Sequence, residues 1–153
     1  MSGERFTLDT NILIYAIDHD ADARHVVAME IIEAAAAGDC VLTLQSLTEC
    51  FAAATRGGRM PRAQAARYVE YLLTLFEVVP LSDAALRRAL VTATGGRASW
   101  WDALLVATAS EARCAAILTE DMHAGGTLMG MRVVNPFASD GLTPAARAIL
   151  YGS

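Results

Sequence analysis

Four acidic residues stand inside or directly after apolar runs, where a carboxylate is out of place unless it has work to do. Asp9 follows RFTL, Glu49 lies within LTLQSLTECF, Asp102 within SWWDALLVATA, and Asp121 follows AAILT with Glu120 beside it. Carboxylates sited this way supply oxygen ligands for a hard cation. Each has a plainer reading when taken alone. Ser46-Leu47-Thr48-Glu49 and Ser99-Trp100-Trp101-Asp102 match the pattern in which an acid bonds back to a helix-capping serine. Asp9 reads equally as the N-cap of a helix beginning near Asn11, and Asp121 as a turn residue. Those readings serve each site singly and leave the recurrence unexplained.

The elements that must position these acids follow from periodicity. Short apolar runs at Arg5 to Leu8, Cys40 to Leu44, Val78 to Leu81, Ala115 to Thr119 and Met131 to Val134 read as strands. Between them Asn11 to Ile17, Ala21 to Ala37, Ser46 to Thr55, Pro61 to Phe76, Ser82 to Ala93 and Trp100 to Arg113 read as helices, and Thr143 to Tyr151 as a short terminal one. In the second helix Val26, Val27, Met29, Ile31 and Ile32 are expected to form the buried side. Strands alternating with helices imply an α/β fold, a short central parallel sheet of four to five strands covered by helices on both faces. In such sheets the ligand site lies beyond the carboxyl ends of the strands, where strand order reverses. Asp9 and Asp121 fall directly at that edge. Glu49 and Asp102, read as lying in the first turns of their helices, face the same edge, so four carboxylates are expected to converge.

Composition narrows the chemistry. The chain has 153 residues and is read as a single domain, 1–153, with a core of about 5–137 and a short extension over 138–153. All twelve basic residues are arginine, so mechanisms that require a lysine are excluded, among them Schiff-base chemistry and the Walker phosphate loop. The net charge of −5 does not suit a protein that holds nucleic acid on a broad basic face. A polyanion would have to be held by local arginines or through metal. Cys40, Cys50 and Cys114 lack CxxC spacing and read as small buried hydrophobes. No stretch is long enough for a membrane span and the N-terminus lacks a secretory pattern, which gives a cytoplasmic expectation.

Four motifs in order, Leu8-Asp9-Thr10-Asn11 with apolar residues after it, Gln45-Ser46-Leu47-Thr48-Glu49, Trp101-Asp102-Ala103-Leu104-Leu105, and Leu118-Thr119-Glu120-Asp121, make the sequence resemble the PIN-domain ribonucleases, the fold of VapC-type toxins. Many members have Arg before the last Asp, where this chain has Glu120. The resemblance implies a metal-dependent endoribonuclease that leaves 5′-phosphate and 3′-hydroxyl ends, and a place as the toxin of a toxin–antitoxin pair. It assigns Asp9, Glu49, Asp102 and Asp121 as catalytic ligands of one or two Mg²⁺ or Mn²⁺ ions. Thr10, Asn11, Ser46 and Thr119 would orient water and the carboxylates. Arg56, Arg59, Arg62 and Arg97 are candidate phosphate contacts and Trp100 a candidate base-stacking residue. The implied partners are RNA, a small antitoxin and a second copy of the chain, this last through an Ala-rich helix face. The alternative is a PIN-like RNA-binding or scaffold module that does not cut.

Overall fold

The computed structural model describes residues 3–152. Strand β1 (Phe6–Leu8) pairs in parallel with β4 (Ala116–Leu118), and β4 in parallel with β6 (Met131–Val134), while the short β5 (Thr127–Leu128) adds an antiparallel edge. On the other side of β1, β2 (Val41–Thr43) pairs in parallel with β3 (Glu77–Val79), joined to β1 by a bridge between Phe6 and Cys40. The strands therefore run 3-2-1-4-6-5. Order reverses between β1 and β4, and the cleft beyond their carboxyl ends is the expected ligand site.

Strand residues alternate between two apolar layers, as a sheet covered on both faces requires. Phe6, Leu8, Leu42, Ala116 and Leu118 face one layer, built with α1 (Thr10–Tyr15), α2 (Ala23–Ala36), α3 (Leu44–Thr55), α4 (Arg62–Leu75) and α7 (Pro144–Tyr151). Val41, Ile117, Met131 and Val133 face α6 (Trp100–Glu111) through Leu105, Val106 and Ala109. Outside α6 lies α5 (Asp83–Thr94), and the fully buried Ala85, Ala89, Ala103 and Ala107 let these two helices approach closely.

Two details differ from the sequence reading. In α2 the buried residues are Val27, Ala28, Ile31, Ile32 and Ala35, while Val26 is 67% and Met29 51% exposed, because the helix faces the core with a single stripe and these two fall outside it. A small hairpin, β7 (Phe137–Ala138) with β8 (Gly141–Leu142), stands at the start of the short extension, where the sequence reading places no strand. The alanine faces of α5 and α6 cover each other. All three cysteines are buried and unpaired, and among the described residues no helix is long and apolar enough to cross a membrane.

Candidate active site

Register builds the centre of the site. Leu8 lies opposite Leu118, so the next residues, Asp9 and Thr119, emerge side by side at the switch point. The Asp9 amide donates to the Leu118 carbonyl at 3.0 Å, and the Thr119 hydroxyl donates to Asp9 Oδ2 at 2.6 Å. Asp9 occupies the N-cap position of α1 but makes no side-chain capping bond. The same Thr119 hydroxyl accepts from the Asp121 amide at 3.1 Å, and Asn11 donates its side-chain amide to the Asp121 carboxylate.

Strand β2 runs straight into α3, because Thr43, the last strand residue, is also the helix N-cap and accepts from the Ser46 amide at 3.2 Å. Glu49 consequently lies in the second turn of α3, beyond the first-turn position expected, and makes no capping bond. It accepts from the Thr10 hydroxyl at 3.0 Å and from Gln45 Nε2 at 3.3 Å. Asp102 does lie in the first turn of its helix, where the Ser99 hydroxyl accepts from its backbone amide.

Burial raises the Asp9 pKa from 3.8 to about 6, against hydrogen bonds from Thr119 and Thr10, and the nearby charges of Asp121 and Asp102 push it the same way. The Asp102 carboxyl is also raised, first by burial and further by Asp121, with Ser99 partly offsetting them. Asp9, Asp102 and Asp121 thus feel one another, and Glu49 is tied to the group through Thr10, the neighbour of Asp9 in sequence. None of the four has an ion-pair partner among the described residues. Asp102 and Asp121 line a cavity of about 260 Å³ together with Arg97, His123 and Thr127.

The donor set suits a hard cation, since it consists of carboxylate oxygens without ion-pair partners on a sheet edge. Among the described residues, no three Asp, Glu, His or Cys side chains stand close enough to hold an ion as they are placed. The fit is therefore one of chemistry and placement, without ready-made coordination.

Other expected residues fall less centrally. The Ser46 hydroxyl is buried against Thr43 at 3.0 Å and orients no carboxylate. Trp100 packs into the α5–α6 layer, whereas Trp101 is 59% exposed, so the exposed ring available for stacking is Trp101. Arg97 stands on the acidic cavity; Arg59 lines a separate cleft with Asp18, His19 and Gln64, and Arg56 lies exposed in the 3-10 turn Arg56–Gly58. Glu120 is turned to Arg24, whose Nε donates to its two oxygens at 2.9 and 3.2 Å, and to the Tyr15 hydroxyl. Sequence reasoning misses Gln45, although its spacing of four from Glu49 on a helix signals the pairing. It misses Arg24 and Tyr15 too, and no local pattern joins them to Glu120.

A PIN domain family model matches residues 6–124. No curated protein sequence matches the chain. Among solved structures, a toxin–antitoxin complex from Klebsiella pneumoniae is similar at 22% identity and a TM-score of 0.61, over 86% of this chain and 97% of that one. DNA-bound VapBC from Salmonella typhimurium is similar at 18% identity and a TM-score of 0.61, over 85% and 96%. VapC20 of Mycobacterium tuberculosis, a sarcin-ricin loop cleaving toxin, is similar at 20% identity and a TM-score of 0.58, over 76% and 89%. At these identities the likeness is one of fold.

Proposed function

The chain belongs to the PIN domain family, and from that premise we propose that its acidic cleft is the active site of a metal-dependent endoribonuclease, the toxin of a toxin–antitoxin pair. The observation that carries this reading is the hydrogen-bonded adjacency of Asp9 and Thr119 at the strand-order switch, with Asp102 and Asp121 in electrostatic reach. Neighbours that are toxin–antitoxin complexes, and one that is a sarcin-ricin loop cleaving toxin, support it.

Asp9, Glu49, Asp102 and Asp121 would hold one or two Mg²⁺ or Mn²⁺ ions. When bound, the metal supplies the positive charge that eases deprotonation of water and offsets charge building on the phosphodiester. The chain's own groups do the rest. Thr119 fixes one oxygen of Asp9, and Thr10 and Gln45 each hold one oxygen of Glu49, which orients both carboxylates for ligation or for accepting a proton from water. Asn11 orients Asp121. Arg97, on the cavity wall, meets a substrate phosphate, and the exposed Trp101 beside Asp102 stacks on a base. The products carry 5′-phosphate and 3′-hydroxyl ends. Because the four acids have no internal cation, a small antitoxin that inserts an arginine or lysine would pair with them and block ligation. A second copy of the chain would complete a homodimer.

The test is incubation of the purified protein with total cellular RNA, in Mn²⁺ and in EDTA, with the ends of any products mapped. Cleavage in Mn²⁺ alone with those ends is the expected result. Intact RNA under both conditions would overturn the reading and leave a non-cutting module.

A further inference from the structure

Glu120 and Asp121 are consecutive residues whose carboxylates turn to different partners. Asp121 turns to Asn11 on α1, while Glu120, its side chain 14% exposed, turns to the start of α2. There Arg24 Nε reaches both of its oxygens and the Tyr15 hydroxyl donates to it as well. The three are framed by Phe137 from the C-terminal hairpin. Its ring centroid is 5.7 Å from the Arg24 guanidinium carbon and 5.7 Å from the Tyr15 ring, edge to face. The ends of α1 and α2 thus meet on one side chain next to a candidate ligand, with the hairpin's Phe137 packed behind them.

We infer that Arg24 is a positioning residue, which acts through Glu120 to fix the Thr119–His123 segment and so to aim Asp121 at the site. The inference rests on the reading of Asp121 as part of the active site. Its physical basis is the competition for Glu120. A largely buried carboxylate left without a cation is costly, and one turned toward Asp121 would add a fifth negative charge to the four acids. Arg24 removes that charge from the cluster, and its two contacts on Glu120 define the direction of the peptide that leads into Asp121. Tyr15, the last residue of the helix that begins after Asp9, couples the same anchor to the other acid. The link also makes the hairpin's Phe137 part of the support for the site.

Two measurements on the full chain decide the matter, with Arg24→Ala, and with the exchanged pair Arg24→Glu and Glu120→Arg as the second variant. Hydrogen exchange is read in EDTA over the peptide spanning Thr119 to His123. Arg24→Ala is expected to speed exchange there at least fivefold and to leave the β1 and β4 peptides unchanged, while the exchanged pair returns it to within twofold of wild type. Titration of the metal-free proteins with Mn²⁺ alone is expected to show at least a threefold loss of affinity in Arg24→Ala and recovery in the pair. Unchanged exchange in Arg24→Ala overturns the inference, and so does faster exchange that the pair fails to restore. These readouts do not depend on cleavage. If wild type cuts no RNA while the exchange results hold, the functional reading fails and the anchoring of the segment stands.

Discussion

The hydroxyl of Thr119 donates a 2.6 Å hydrogen bond to Oδ2 of Asp9 and accepts the backbone amide of Asp121 at 3.1 Å, so one fully buried hydroxyl ties the carboxyl ends of β1 and β4 to the following acidic turn. It is also a hydrogen bond that favours the ionised form of Asp9. Thr119→Val keeps the shape and removes both bonds. It is expected to destabilise the fold by about 1–3 kcal/mol, the usual range for an orphaned buried partner, and to lower the cleavage rate at least tenfold at neutral pH. Denaturant unfolding and initial-rate assays check the two effects separately.

Burial of Asp9 and Asp102, reinforced by the neighbouring carboxylates, sets a pH dependence. Asp9 has a folded pKa of about 6 against an ordinary value of 3.8, and Asp102 is shifted the same way. A raised carboxyl contributes stability that is fully present below its unfolded pKa and is lost as pH rises through its folded pKa. The metal-free protein should therefore be more stable near pH 5 than at pH 7.5, by an amount on the order of 1 kcal/mol if Asp9 dominates, and should melt at a higher temperature there. Asp9→Asn should melt above wild type at pH 7.5 in EDTA and show a flatter pH profile. A wild-type melting temperature that falls on acidification from 7.5 to 5 in EDTA, matched by Asp9→Asn, would count against the buried, uncompensated Asp9.

Glu49 makes its bonds as an acceptor, from Thr10 and Gln45. Glu49→Gln retains one acceptor oxygen and nearly the same shape. Its melting temperature in EDTA should stay within about 3 °C of wild type, a change below about 1 kcal/mol for a chain of this size, while cleavage falls at least a hundredfold. Cleavage above a tenth of the wild-type rate at saturating Mn²⁺ would remove Glu49 from the ligand set.

The site is legible in the sequence to the extent that it follows from strand ends. A short apolar run followed by Asp-Thr-Asn, and another followed by Thr-Glu-Asp, locate Asp9 and Asp121 at one sheet edge once the sheet is taken as parallel. What is not legible is set by contacts between distant segments. Nothing near Glu120 announces Arg24, which lies 96 residues away. The exposure of Trp101 over Trp100 depends on where α5 packs against α6. Val26 and Met29 lie outside the core because the five apolar positions of that stretch span more of the helix surface than its single buried stripe covers. Glu49 sits in the second turn rather than the first because Thr43 is at once strand and cap, a merger that a serine-based capping pattern does not reveal.

The cysteines offer an independent check on the packing. Burial pushes the Cys50 and Cys114 thiols up to about 12, and Cys40 well above its ordinary value. Reaction with a thiol reagent such as DTNB at pH 8 should proceed only after denaturation, because the thiolate is the reactive form. Cleavage should likewise be the same with and without reductant. Rapid labelling of one or more thiols in the native protein would show that the layers around them are not closed.

The most direct test of the acidic centre is the rate of RNA cleavage as a function of Mn²⁺ concentration in wild type and Asp102→Asn. Asp102 lines the cavity with Asp121 and keeps its helix cap through the backbone, which an amide side chain leaves in place. The expected result is a saturating Mn²⁺ dependence for wild type and a rate at least a hundredfold lower for Asp102→Asn at every concentration, with both proteins folded by circular dichroism. Asp102→Asn reaching the wild-type rate at saturating Mn²⁺ would contradict the assignment of these carboxylates as the centre that binds metal and cuts RNA.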